Sequence, residues 1–345
     1  MILIPSALLT GHRQNGGAGI PAAAGGTPRG KEEIVLRYVG KQVLWLFPLL
    51  LLVSVLSFVL VRRLPEDAAT AYLNSVNAPL TEEALAAVRA ELGLDRPLPV
   101  QYGRWLRQVL RGDLGYSYQT KRPVTEELAE DLRYTGQLAL AALGWVLLLS
   151  LTLGTLSARH PNGPVDGLIR AFTFLGASIP KFWLGFLLVA VFSLRWNLLP
   201  VQGATSWRHL VLPSFTLACS YIATYTKLLR GSILELQNQG FVRYARARGF
   251  SRRAVTLRHV IPNALIPVLT SLGLHLGSMM SGAVIVENVF AWPGLGRMCI
   301  SAVNARNYPM IQGYILLMSA LFILANLAAD LVCAMLNPRL RLGGA

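Results

Sequence analysis

Charge is scarce in this chain, and acid is scarcer than base. Only 14% of the 345 residues are charged, with 17 Asp or Glu against 32 Lys or Arg, whereas a soluble domain carries roughly 25%. Cysteine is also sparse. Cys219, Cys299 and Cys333 are odd in number and far apart, which excludes a disulfide framework and a paired-cysteine zinc site. The sequence contains no HExxH, CxxC or GxSxG, so zinc-protease, dithiol and serine-hydrolase chemistry have no footing. Gly25 to Lys31 spaces like a phosphate-binding loop, but Glu32 stands where Ser or Thr would hold Mg²⁺, and no strand precedes it. No residue reads as catalytic, and no cofactor is expected on this chain.

Apolar length is what the chain has instead. Hydrophobic residues make up 53%, and they cluster into runs about as long as a bilayer is thick. A net charge of +15 suits nucleic acid, yet membrane proteins acquire the same excess by keeping Lys and Arg on the cytoplasmic side. Lipid is therefore the expected partner and nucleic acid is not. Within such runs the three cysteines are small apolar fillers.

Residues 1–34 are rich in Gly, Ala and Pro with little apolar periodicity, and read as disordered or as an extension from a misassigned start. The first span is 42–61, within a first transmembrane helix at 35–63, with Arg37 and Lys41 before it and Arg62 and Arg63 after it. No small-residue cleavage site follows, so it is not a removable signal. Residues 64–134 hold 11 of the 17 acids. Thr81 and Thr125 are expected as N-caps of two amphipathic helices in this folded extramembrane insert.

Further spans are expected near 135–157, 171–194, 209–228, 264–288 and 312–335, six in all. Pro180 and Lys181 interrupt the third, which reads alternatively as an interfacial helix followed by a shorter crossing. An even count puts both termini on one side with the loops 158–170 and 229–263. The latter carries seven arginines, and the opposite short loops carry two basic residues each. The positive-inside rule makes the termini and 229–263 cytoplasmic, and the 64–134 insert external.

The basic loop has its own punctuation. Phe241, Tyr244, Ala245 and Arg248 fall at i, i+3, i+4 and i+7 of a helix. Gly249 suits the left-handed position that ends it, and Ser251 suits the N-cap of a second helix reaching Val260. Small residues at Ala245, Ala247 and Gly249 would let another protein approach the backbone. A solvated loop that only fixes topology is the plainer account. A nucleic-acid helix-turn-helix is disfavoured by the tether to two spans.

"YARARG" followed by "HVIP" resembles the EAA loop of ATP-binding-cassette (ABC) importer permeases, in the form of the dipeptide, oligopeptide and nickel branch. "LRYV" at 36–39, "GLDRPLPVQYGRW", "GDLGYSY", "PKFWLGFLL", "VENVFAWPGLGR", "NYPMIQG" and "LNPRLR" extend the resemblance over about residues 35–341. Arg243 and Tyr244 depart from the general pattern and match the branch form only. The resemblance implies an all-α integral membrane protein of the type I importer permease fold, with six transmembrane helices and a periplasmic insert between the first two. The five-helix permease core would be 135–341. It also implies a multi-pass place in the inner membrane, a second permease subunit, two cytoplasmic ATPase subunits that use the ATP, and a periplasmic substrate-binding protein.

By the same resemblance, Tyr244, Ala245, Ala247, Gly249 and Pro262 couple to the ATPase, while Glu287, Trp292, Pro293 and Gly294 belong to an external gate. Structurally, Pro293 and Gly294 also simply end a helix. His275, with Met279 and Met280 one turn on, sits in the fifth span. A buried His is more often a packing residue, but an intramembrane ionisable group is a functional candidate, imidazole suits Ni²⁺, and nickel permeases resemble this stretch. The expected cargo is nickel, with His275 as a transient metal ligand in the substrate path. Dipeptide, oligopeptide or metallophore import is the alternative. Gly273 and Gly277 form a GxxxG pair for a second subunit or for internal packing. An ion-coupled secondary transporter, a different class, would need midplane carboxylates, and only Asp330 approaches the bilayer.

Overall fold

The computed structural model describes residues 46–63 and 67–336. Among them every regular element is helical, and one isolated antiparallel bridge joins Tyr116 to Pro123. The tract 1–34 with its phosphate-loop look-alike, the "LRYV" segment and nearly all of "LNPRLR" lie outside the described residues.

Helix α1 (Leu46–Arg62) leads into three short helices, α2 (Ala68–Ser75), α3 (Glu82–Leu92) and α4 (Leu98–Val109). Then come α5 (Val124–Arg159), α6 (Pro164–Ser178) and α7 (Lys181–Leu188), the last prolonged by π-helical Val189–Arg195. Helix α8 (Arg208–Gln237) precedes α9 (Gly240–Ala247) and α10 (Arg252–Val255), which runs through π-helical Thr256–Val260 into α11 (Ile261–Val289). The chain closes with α12 (Leu295–Asn304) and α13 (Tyr308–Leu336).

Among the described residues, three helical stretches are long and apolar enough to cross a bilayer: Val124–Arg159, Arg252–Gly273 and Tyr308–Ala329. The bent pair α6 and α7 makes a fourth if counted as one span. Apolar side chains remain outward on several of these helices, among them Leu140, Leu148, Phe174 and Leu324, as a lipid solvent requires and water does not. Helix α8 is rich in hydroxyls. They turn back on their own helix, Thr216 donating to the Leu212 carbonyl at 2.7 Å and Thr224 to that of Ser220 at 2.9 Å.

Other helices, rather than lipid, surround most of α8. Leu217, Ile222, Tyr225 and Leu229 are fully buried, and α8 packs along α5, α6 and α11. Contact is close at Gly154, where a Cβ would come within 3.1 Å of Leu229. The GxxxG pair is answered within the chain: a Cβ at Gly273 would lie 2.9 Å from Ala329 and one at Gly277 2.5 Å from Phe322. These glycines seat α13 on α11.

Two expectations need correction. The stretch 171–194 is not one straight span, because α6 and α7 meet at 111°. Ile179 is extended, as a residue before proline prefers, and Pro180 caps α7. Thr81 does cap α3, accepting from the Ala84 amide at 3.2 Å, and Gly93 ends that helix at φ +65°. Thr125, however, caps nothing: α5 starts after Pro123 and runs unbroken to Arg159. The acidic "VTEELAEDL" is therefore the first turns of the following membrane-length helix. Arg122 braces it with a two-pronged contact to Glu130 at 2.7 and 3.0 Å.

One buried residue ties the loop after α4 back to the start of α13. Asn307, 1% exposed, accepts from the Tyr118 amide at 3.1 Å and donates to Ser117 Oγ at 2.9 Å. It thereby joins "GDLGYSY" to "NYPMIQG" across 190 positions. Asn307→Ala should destabilise the purified protein by about 1–3 kcal/mol, the cost of orphaning buried polar groups. Thermal melting would show it, and an unchanged melt would mean that the loop is held by other contacts.

Candidate functional site

The basic loop folds largely as its local signals require. Gly249 stands at φ +88°, its amide donates to the Arg246 carbonyl at 3.0 Å, and nothing lies within 4 Å of where its Cβ would be. Ser251 Oγ accepts from the Ala254 amide at 3.2 Å and opens α10. The helical face differs from the expected one. Val242 is fully buried and Ala245 half-buried against the core, while Phe241 and Tyr244 face outward. Ala245 thus anchors α9 to its own chain. The surface left for another protein is Tyr244, Ala247, Gly249 and Phe250, all exposed; Pro262 is exposed too, at the start of α11. Beside it, a cavity of about 560 Å³ opens against the end of α5, lined in part by Arg159, His160, Arg246, Arg252 and Arg253.

Below this loop lies an ion pair that sequence reading missed. Asp166, 0% exposed, accepts from Arg230 Nε at 2.8 Å and Nη2 at 2.7 Å, from the Asn162 amide at 2.9 Å, and from the Ser157 hydroxyl. It clasps α5, α6 and α8 just before the chain turns into α9. Charge counting placed Arg230 among the loop's topogenic arginines. The available signal was that Asp166 is the one acid in 158–170.

In the middle of α11, His275 is half-buried. Its Nδ1 lies 2.8 Å from the Ser271 carbonyl and 3.1 Å from the Tyr225 hydroxyl, and its ring meets those of Tyr221 and Tyr225 edge-on. Met279 is 1% exposed and Met280 half-buried. Among the described residues no three His, Cys, Asp or Glu side chains gather as a metal site.

At the far end of α11 the four gate candidates form a packed clasp. Glu287, 0% exposed, accepts from Thr135 Oγ1 at 2.7 Å and from the Gly296 and Arg297 amides at 2.7 and 3.1 Å. Its carboxylate therefore caps the N-terminus of α12, where unpaired amides and the helix dipole favour an anion. A Cβ at Gly294 would lie 2.3 Å from the carboxylate, so glycine is required there. Trp292 is buried, its indole donating to the Tyr134 carbonyl at 3.0 Å, and Pro293 is half-buried between them. Thr135 closes the unit by accepting from the Leu295 amide at 2.9 Å.

An all-helical protein with outward apolar side chains on its long helices, a clasp at one end of α11 and an exposed two-helix turn at the other has the build of a membrane component. The chain belongs to the family of binding-protein-dependent transport system inner membrane components, whose profile matches residues 150–342; a profile for the N-terminal part of such components matches 35–139. It is 40% identical over 308 residues to the glutathione transport system permease protein GsiC of Salmonella paratyphi A, covering 89% of this chain and 99% of the relative. The protein of the same name from Pectobacterium atrosepticum is 40% identical over 307 residues, with the same coverage. Among solved structures, an amino acid ABC transporter with histidines aligns at TM-score 0.49 and 19% identity, over 62% of this chain and 94% of its own. The chain is the permease subunit of an ABC importer, which sets aside the ion-coupled secondary transporter.

Proposed function

We propose that this permease imports short peptides or peptide-like anions, of which glutathione is one, rather than free nickel. The observation that carries this is 40% identity across 89% of the chain to relatives named as glutathione permeases. Two local features agree with it. His275 has its Nδ1 engaged by Tyr225 and Ser271, and Lys181 puts an ammonium beside the same cluster, 5.1 Å from the Tyr221 ring. A fixed cation repels Ni²⁺ and attracts carboxylates.

In this reading the fold is the six-span type I permease, with the 229–263 loop in the cytosol and the Glu287 clasp facing outside. A binding protein delivers cargo there, a second permease subunit completes the path, and two ATPase subunits hydrolyse ATP. Closure of the ATPases pushes on Tyr244, Ala247 and Gly249 and rocks the helices between inward and outward states.

The cargo test compares uptake of radiolabelled glutathione and of nickel by cells with and without the gene. Gene-dependent glutathione uptake is expected; gene-dependent nickel uptake that excess peptide does not reduce would overturn the reading. The docking role has its own test. Gly249→Ala and Gly249→Arg share the strain of a side chain at positive φ, about 1–2 kcal/mol, and the Cβ that both add meets nothing within 4 Å. Their melting points should match. Uptake should fall about tenfold more in Gly249→Arg than in Gly249→Ala, the effect of about 1.4 kcal/mol at a docking surface. Equal uptake would mean that no partner approaches Gly249.

A further inference from the structure

Lys181 opens α7 immediately after the 111° bend. Its side chain turns in between α8 and α11. The ammonium lies 5.1 Å from the Tyr221 ring centroid and would come within 2.5 Å of a Cβ at Gly282. Glycine at 282 is what leaves the ammonium its place. Among the described residues no carboxylate comes within ion-pair distance of it. A cation–π contact alone does not replace the hydration that an ammonium gives up on burial.

The neighbouring groups are polar and partly open. Tyr221 Oη is 3.4 Å from Ser278 Oγ, and Tyr221 packs edge-on against His275. Lys181, Tyr221, His275, Ser278 and Gly282 are all half-buried. His275, Ser278 and Gly282 fall at i, i+3 and i+7 of α11, so they share one face. Seven residues of helix make this strip about 10 Å long. A strip with an ammonium, an imidazole and two hydroxyls does not face acyl chains; it faces water or protein.

We propose that Lys181 is a cargo-binding residue inside the translocation path, pairing with a carboxylate of the transported peptide while Tyr221 and Ser278 offer hydroxyl hydrogen bonds beside it. This rests on the peptide-class reading and adds to it the group that is recognised and the residue that recognises it. The α6–α7 bend has a purpose here: it delivers the lysine to α8 and α11 at membrane depth. Gly282 is the positioning residue, since any side chain there displaces the ammonium. One half-buried pairing without a built cage fits a path, where cargo must be held briefly and released.

The test uses the complete transporter, with partner permease, ATPases and binding protein, in proteoliposomes. The readout is the maximal uptake rate of radiolabelled glutathione at saturating binding protein, corrected for the amount of assembled complex. Lys181→Gln should lower the rate about tenfold, the loss of one charge-assisted contact, and Lys181→Arg should keep most of it. Gly282→Ala should fall as Lys181→Gln does, and the double variant should be no worse than Lys181→Gln alone. A wild-type rate in Lys181→Gln, equal losses in the Arg and Gln variants, or additive losses in the double variant would each overturn the site while leaving peptide import standing. No glutathione uptake by the unaltered complex would instead remove the peptide reading, and the carboxylate site with it.

Discussion

Asp166→Ala is expected to destabilise the protein by about 3–5 kcal/mol, the range for breaking a buried ion pair from one side. Asp166 is completely buried, and the Arg230 side chain is 22% exposed. The carboxylate is held by both prongs of the guanidinium, one backbone amide and one hydroxyl. Removing it leaves the guanidinium half-buried without a counter-charge, and leaves Ser157 and the Asn162 amide without an acceptor. The damage should concentrate where α5, α6 and α8 converge, directly below the two-helix turn. Thermal unfolding of the purified protein measures the loss. Asp166→Leu combined with Arg230→Met should recover most of it, because replacing both partners by apolar groups removes the desolvation penalty together with the attraction. Failure of the double variant to recover would mean that Asp166 acts mainly through Ser157 and Asn162, not through Arg230.

The Glu287 clasp gives the second large effect. Glu287→Ala removes the acceptor for two backbone amides and one hydroxyl in a site with no exposure, and each orphaned buried group costs about 1–3 kcal/mol. A total of about 3–5 kcal/mol is expected, close to the upper range for single substitutions. Glu287→Gln keeps one carbonyl acceptor but turns an N–H toward amides that also donate. It should therefore cost less than Ala but remain measurable. Protease sensitivity of the loop between α11 and α12 gives a local readout beside the global melt. If Glu287→Ala melts like the unaltered protein, the amides of Gly296 and Arg297 have another acceptor and the clasp is held by Trp292 packing instead.

Both sites show why charges in this chain are hard to read one at a time. Acids are few, and Asp166 and Glu287 inside the bundle each have a task set by a distant partner. Asp166 and Arg230 are 64 residues apart, and Glu287 and Thr135 are 152 apart. Nothing near Arg230 in sequence separates it from the other arginines of the loop. Lys181 was visible as an interruption in an apolar run, but its inward turn depends on Gly282, a hundred residues on.

Local signals fared better because their causes are local. Gly249 at positive φ, Ser251 bonded to the Ala254 amide, and Thr81 bonded to that of Ala84 depend on torsions and hydrogen bonds spanning a few residues. Thr125 failed as a cap because Pro123 already starts the helix, one of two competing start signals two residues apart. Ala245 was read on an outward face because a four-position helical pattern does not say which side is covered. That is decided by Val242 meeting the core.

The sequence by itself determined the solvent and the machinery: scarce charge and bilayer-length apolar runs make a membrane protein, and the "YARARG" loop with its companion motifs marks an importer permease. It also determined the two-helix turn, since glycine and serine act on their own neighbours. The tertiary structure alone decided that α8 is wrapped by other helices, that Gly273 and Gly277 receive α13, and that Asp166, Glu287 and Asn307 find their partners. Those are long-range pairings. In a low-dielectric bundle they are enforced by the cost of leaving a buried charge or amide alone, a cost that appears only after packing has chosen what is buried.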